Sequence, residues 1–251
     1  MMKRIMGFVI PLLASAMLFG QSDPLVFWMR TMVPVKGKQS QLVKAVAKKT
    51  QKFNGEDSGD VIRTYQITNG PDEGAFVRSG LLGPWAQFDE TSDQQQAGLD
   101  YWMKNVAPLV ETNKGMQIWS TTPELLYNGT GNSGPAKFVA LRYYNIKPFI
   151  SLAEIAKKPI EISKAINEDS RYGWYRLETG GDRSTWVYAF AFDSFSELDE
   201  GNSGFWDAFE KYHGKGSVEK FFEEFGNTVQ ANPHARASTI LRYRADMSTP
   251  E

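Results

Sequence analysis

An internal repeat restricts this chain more than any other feature. Residues 64–90 lie over residues 174–200 without a gap, and Tyr65, Gly70, Asp72, Val77, Asp89 and Glu90 meet Tyr175, Gly180, Asp182, Val187, Asp199 and Glu200. Apolar character agrees at four further pairs: Ile67 with Leu177, Phe76 with Trp186, Trp85 with Phe195 and Phe88 with Leu198. Upstream, residues 26–30 (VFWMR) match residues 138–142 (FVALR) at a shift of two more positions. One supersecondary unit therefore occurs twice, and each copy has an apolar face that something must cover.

Both copies read in the same order. In the first, 25–33 is rich in strand formers and is broken by Pro34-Val35-Lys36-Gly37. Ser40 opens an amphipathic helix with Leu42, Val43, Val46 and Ala47 on one side and Lys44, Lys48, Lys49 and Lys52 on the other. After a loop at 54–60, segments 61–69 and 75–82 form a hairpin around 70–74, a second helix falls within 89–110, and 115–120 is a last strand. The second copy gives a strand at 138–144, a helix at 152–167, a hairpin at 173–192 turning at Gly180-Gly181-Asp182, a helical stretch at 204–225 and a strand at 237–243. The units are thus 25–122 and 137–246, joined by a Gly- and Ser-rich linker at 128–136.

The β-α-β-β-α-β order is that of the ferredoxin-like module, in which two helices cover one face of a four-stranded antiparallel sheet and leave the other bare. Two modules in one chain can press their bare faces together. Over residues 25–246 the chain resembles the dimeric α+β barrel superfamily in fused, tandem form. The expected fold class is α+β: two ferredoxin-like βαββαβ repeats whose antiparallel sheets face each other.

The N-terminus points to export. Lys3 and Arg4 precede an apolar run that ends near Gly20-Gln21-Ser22-Asp23-Pro24, the pattern of a secretory signal peptide over residues 1–20. The run is shorter than the roughly 20 residues of a permanent membrane helix, so no membrane association is expected after cleavage, and the mature chain is expected in the periplasm or secreted. It contains no cysteine, which excludes disulfides, thiolate metal sites and a cysteine nucleophile. A net charge of −1 argues against nucleic acid, whose phosphates need a surplus of Lys and Arg. A monomer or a homodimer is expected.

Alternation along the strands predicts which side chains lie between the two sheets. Phe27, Met29, Val139, Leu141, Val77, Val187 and Ala189 are uniformly apolar and are assigned to the helix side. That turns Trp28, Arg30, Arg142, Tyr144, Phe76, Arg78, Trp186 and Tyr188 inward. Thr64, Gln66, Trp174, Arg176, Gln117, Trp119 and Arg242 join them by analogy. Arginine forks hold carboxylates and aromatic walls supply apolar contact, so Trp28, Arg30, Arg78, Arg142, Tyr144, Trp174, Arg176, Trp186, Tyr188 and Arg242 are the candidate ligand contacts. The competing reading is that the arginine stems simply stack on the rings.

Two histidines, His213 and His234, are the candidate acid–base groups, and neither sits in a metal-ligand spacing. No Walker loop, dinucleotide fingerprint or serine-hydrolase elbow is present. Chlorite dismutase-like members of the resembled superfamily hold haem iron by a histidine from the first helix of the second module. The helix at 152–167 has none. A haem peroxidase of the dye-decolorising kind would need Asp, Arg and a proximal His in the C-terminal half, and His213 and His234 lack that context. No cofactor and no metal are expected. What remains is an exported protein that binds a small anionic or aromatic ligand, or another protein. The alternative is a cofactor-independent, monooxygenase- or isomerase-like enzyme acting on such a compound.

Overall fold

A computed structural model of the chain describes residues 24–55, 60–89, 91–129, 134–199, 203–230 and 238–250. Strands β1 (Leu25–Pro34), β2 (Arg63–Ile67), β3 (Phe76–Ser79) and β4 (Val110–Thr121) alternate with helices α1 (Gln39–Phe53) and α2 (Asp93–Asn105). A short strand β5 (Leu126–Asn128) follows. Then come β6 (Phe138–Asn145), α3 (Ala153–Ile166), β7 (Arg171–Thr179), β8 (Thr185–Phe192), α4 (Ser203–His213), α5 (Ser217–Thr228) and β9 (Ser238–Tyr243). The helical stretch expected at 204–225 is two helices, because Gly214 and Gly216 adopt φ of +98° and +79° and turn the chain out of the helix.

All pairings are antiparallel. The first four strands are ordered β4-β1-β3-β2 and the later ones β9-β6-β8-β7. Two seams close the set into an eight-stranded barrel: β2 pairs with β9 through Tyr65↔Tyr243 and Ile67↔Leu241, and β4 pairs with β7 through Trp119↔Leu177 and Ser120↔Arg176. Closure removes the open edges that would otherwise template aggregation. Strand β5 lies outside this ring, against β7. The class is α+β, with five helices among the described residues arranged around the closed barrel.

Repeated sequence positions take repeated places. Tyr65 and Tyr175, Ile67 and Leu177, and Val77 and Val187 all belong to the barrel interior, and Gly70 and Gly180 turn their hairpins at φ of +84° and +86°. On the outside, α1 and α2 bury Leu42, Val46 and Trp102 against Met32 and Phe76. Helix α3 buries Leu152, Ala156 and Ile160 against Tyr172 and Trp174. The tail after β9 crosses back to the first half. There Met247 enters the α1–α2 core, Ile62 N–H donates to Thr249 Oγ1 at 2.9 Å and Thr64 N–H donates to Ser248 Oγ at 2.9 Å.

Candidate functional site

The space between the sheets has the opposite lining to the one expected. Phe27, Met29, Val77, Val139, Leu141, Val187 and Ala189 face the lumen, together with Tyr65, Tyr143, Tyr175 and Leu241. Of the side chains assigned inward, Trp119 is the one that lines the lumen cavity. The ten candidate ligand contacts lie elsewhere. Alternation fixes which residues share a face, but not which face meets water. The lumen is narrow and its lining almost wholly apolar, so it takes the aliphatic and aromatic set and leaves the arginines outside. The helix-covered face has gaps between helices, where Trp and Arg can bury their stems and keep their polar ends hydrated.

The lumen holds a cavity of about 70 Å³. That is about half the ~150 Å³ of an engineered apolar cavity that binds benzene. Its polar atoms are few. Trp119 Nε1 is buried without a hydrogen-bond partner. Burial, with the Asp72 carboxylate second, pushes the Tyr143 phenol up to about 12. Burial, and then Tyr65, also raises Tyr175.

The outer-face candidates separate into three environments. In the second half, Trp174 packs between Tyr144 and Tyr188 with ring centroids 5.6 and 5.1 Å away, and Trp186 joins the same cluster under α3 and α5. Arg142 is exposed. Arg176 forms a two-point pair with Glu178 at 3.0 and 3.1 Å, and Arg242 lies over the Phe138 ring at 5.6 Å, so these two have structural partners. Trp28 covers Gly80 closely enough that a Cβ there would come within 2.5 Å of its indole nitrogen. His213 is exposed at the end of α4, its ring 4.6 Å from that of Phe209. His234 lies outside the described residues.

Arg30 and Arg78 form the third environment. They are directly opposed on β1 and β3, beneath α1 and α2, and their guanidinium carbons stand 5.8 and 5.7 Å from the Trp102 ring. Arg78 is 2% exposed. Its Nη1 donates to Thr50 Oγ1 at 3.1 Å and, at 3.4 Å, to the Met247 carbonyl. Arg30 Nε is buried without a partner. Burial disfavours both charges, and at Arg78 the neighbouring Arg30 adds to it. Both guanidiniums nonetheless stay cationic at neutral pH. Like charges in direct cross-strand register cost roughly 0.2–1 kcal/mol, and no carboxylate pairs with either arginine among the described residues.

The helix side of this cluster includes Lys49, which the amphipathic pattern of α1 assigns to the solvent face. It stands three residues after Val46 and seven after Leu42, which brings it toward the covered side, half-buried, while Lys44, Lys48 and Lys52 are exposed. Its Nζ donates to Asn54 Oδ1 at 2.6 Å. Burial and the charge of Arg78 lower the amine to about 8, against an opposing pull from Asp60.

No protein-family model matches the chain, and no curated protein matches it. Solved structures do. A protein assigned as a monooxygenase from Lactobacillus acidophilus NCFM superposes with a TM-score of 0.55 at 12% identity, covering 91% of this chain and 97% of that one. A chlorite dismutase from Candidatus Nitrospira defluvii, in complex with imidazole, gives 0.51 at 12% identity, covering 86% and 90%. An anthrone oxidase-like protein gives 0.51 at 9% identity, covering 90% and 94%. These neighbours are dimeric α+β barrel proteins, and the chain has their fold.

The likeness to chlorite dismutases raises the question of haem. The sheet-facing side of α3 carries Leu152, Ala156 and Ile160, packed on Tyr172 and Trp174, and α3 contains no histidine. Those residues do not fit a haem ligated from that helix. Among the described residues, no cluster of His and carboxylates could hold a metal.

Proposed function

We propose that this protein binds a small anionic molecule at the Arg30–Arg78 pair, in the layer between the first-half sheet and helices α1 and α2. The observation that carries this reading is the opposed register of the two arginines against one tryptophan face, with no carboxylate paired to either among the described residues. A carboxylate ligand would supply the missing counter-charge and accept from the guanidinium edges, while Trp102 offers a flat apolar wall. The ligand site thus moves from between the sheets to the sheet–helix layer. We further take the two halves as tandem ferredoxin-like repeats, supported by the strand order of each half, and the protein as exported, supported by its N-terminal sequence; it acts as a monomer or homodimer.

The test is a thermal-shift and calorimetric titration of the mature protein with lactate and benzoate, beside Arg30→Gln, Arg78→Met and the exposed control Arg142→Gln. Saturable stabilisation that is lost in the first two variants and kept in the third supports the reading. Equal responses in all four proteins would overturn it. A second reading, a cofactor-independent enzyme, is favoured by the neighbours assigned as monooxygenase and anthrone oxidase-like, and it would use the same layer.

A further inference from the structure

We infer that the barrel lumen is a second binding site, which takes a small neutral molecule with one hydrogen-bond acceptor on an apolar body, and that Trp119 donates to that acceptor. The site lies across the sheet from the Arg30–Arg78 pair: Val77 and Ser79 of β3 line the lumen, whereas Phe76 and Arg78 face α1 and α2. It does not depend on the anion-binding reading. Trp119 is 1% exposed, lines the lumen cavity and has no partner for its Nε1. Its ring is held by Phe27 opposite on β1, by Leu177 opposite on β7 and by the Tyr143 ring of β6 at 6.2 Å. An indole N–H can only donate. A buried donor left unpaired is costly, and a phenylalanine would line the same wall without that cost. The donor therefore calls for an acceptor that none of the described residues supplies.

The cavity sets the rest of the ligand's chemistry. With about 70 Å³, roughly half the space that holds benzene, it has room for about three or four non-hydrogen atoms. Among the described residues no Asp, Glu, Lys, Arg or His lines it, so a charged ligand would lose its hydration and gain no counter-ion. Tyr143 keeps its phenol proton well above neutral pH and brings no charge either. Met29 and Val77 from one sheet and Leu141 and Val187 from the other give apolar walls for an apolar body. Water is the competing occupant. An enclosed water needs two to four polar partners, and an almost wholly apolar lining around one unpaired donor serves it poorly. A ketone, ether or sulfoxide of acetone's size fits, is neutral and offers an oxygen to Trp119.

The experiment follows the indole N–H signals of the ¹⁵N-labelled mature chain by magnetic resonance as acetone is added, with isobutene as a probe of the same shape that lacks the oxygen. One of the seven indole signals, assigned to Trp119 by its loss in Trp119→Phe and by its cross-relaxation with the Tyr143 ring, should move downfield with acetone and saturate. Isobutene should not reproduce that downfield shift. The acetone methyl groups should show contacts to the methyl groups of Val187 and Leu241. Ala189→Leu, which adds bulk to the lumen wall, should abolish the shift, with folding checked by circular dichroism. A shift that grows with acetone without saturating, or that survives in folded Ala189→Leu, would overturn the proposal. So would an indole proton in contact with a water that acetone does not displace. The wild-type titration decides the outcome even where a variant fails to fold, because saturation and the methyl contacts are read on the native chain.

Discussion

Arg30 and Arg78 are cross-strand partners in one register, and both guanidiniums lie within 6 Å of the same Trp102 ring. A buried cation and a half-buried one with one aromatic neighbour are a costly arrangement unless something offsets the charge. Replacing a buried charge by an apolar side chain of similar length is often neutral or stabilising, by about 1–4 kcal/mol for whole ion pairs. Arg78→Met is therefore expected to leave the ligand-free protein as stable as wild type or more so, while abolishing stabilisation by anions. Denaturant midpoints measured with and without benzoate check both halves.

Stability should rise with pH over an unusual range. The unfolded chain holds the Lys49 proton up to about pH 10.5, whereas the folded protein releases it from about 8. Between these values the unfolded state binds more protons, and stability climbs with pH. Burial holds the phenols of Tyr143, Tyr175 and Tyr188 above their usual range. Above about pH 10 the unfolded chain therefore gives up tyrosine protons that the folded one keeps, and stability falls. Urea unfolding across pH 7–11 should peak near pH 10, and Lys49→Met should flatten the rise without altering the fall.

Gly70 and Gly180 occupy matching turns with the same positive φ, yet their surroundings differ. A Cβ at Gly70 would meet nothing within 4 Å, whereas at Gly180 it would come within 2.5 Å of the Met116 carbonyl oxygen on β4. Gly70→Ala should cost about 1 kcal/mol, from the left-handed backbone alone. Gly180→Ala should cost about 3 kcal/mol or more, because it also forces the β4–β7 seam apart. Chemical denaturation of the two variants measures the contrast.

The lumen can be opened by truncation. Leu241→Ala removes one side chain from the wall of the cavity and should cost about 2–5 kcal/mol. The enlarged space approaches that of a benzene ring, so benzene should stabilise the variant and leave wild type unchanged in thermal melts. Stabilisation of wild type by benzene would show the lumen to be larger than its wall allows.

The repeat, the order of elements and the grouping of residues by face are all legible in the sequence, because they depend on local spacing: period two along a strand, 3.6 along a helix, and glycine at the turns. The repeat by itself pairs Tyr65 with Tyr175 and Val77 with Val187, and these pairs share the lumen. The sequence also names Arg30 and Arg78, though for a space they do not enter. Which face turns inward is decided by closure of β2 on β9 and of β4 on β7. These contacts join residues far apart in the chain, and they create a narrow, mostly apolar interior that takes aliphatic and aromatic side chains and leaves the arginines outside. The opposition of Arg30 and Arg78, the approach of Lys49, and the Met247 carbonyl that meets Arg78 are likewise products of tertiary packing, since each depends on where a distant segment comes to rest.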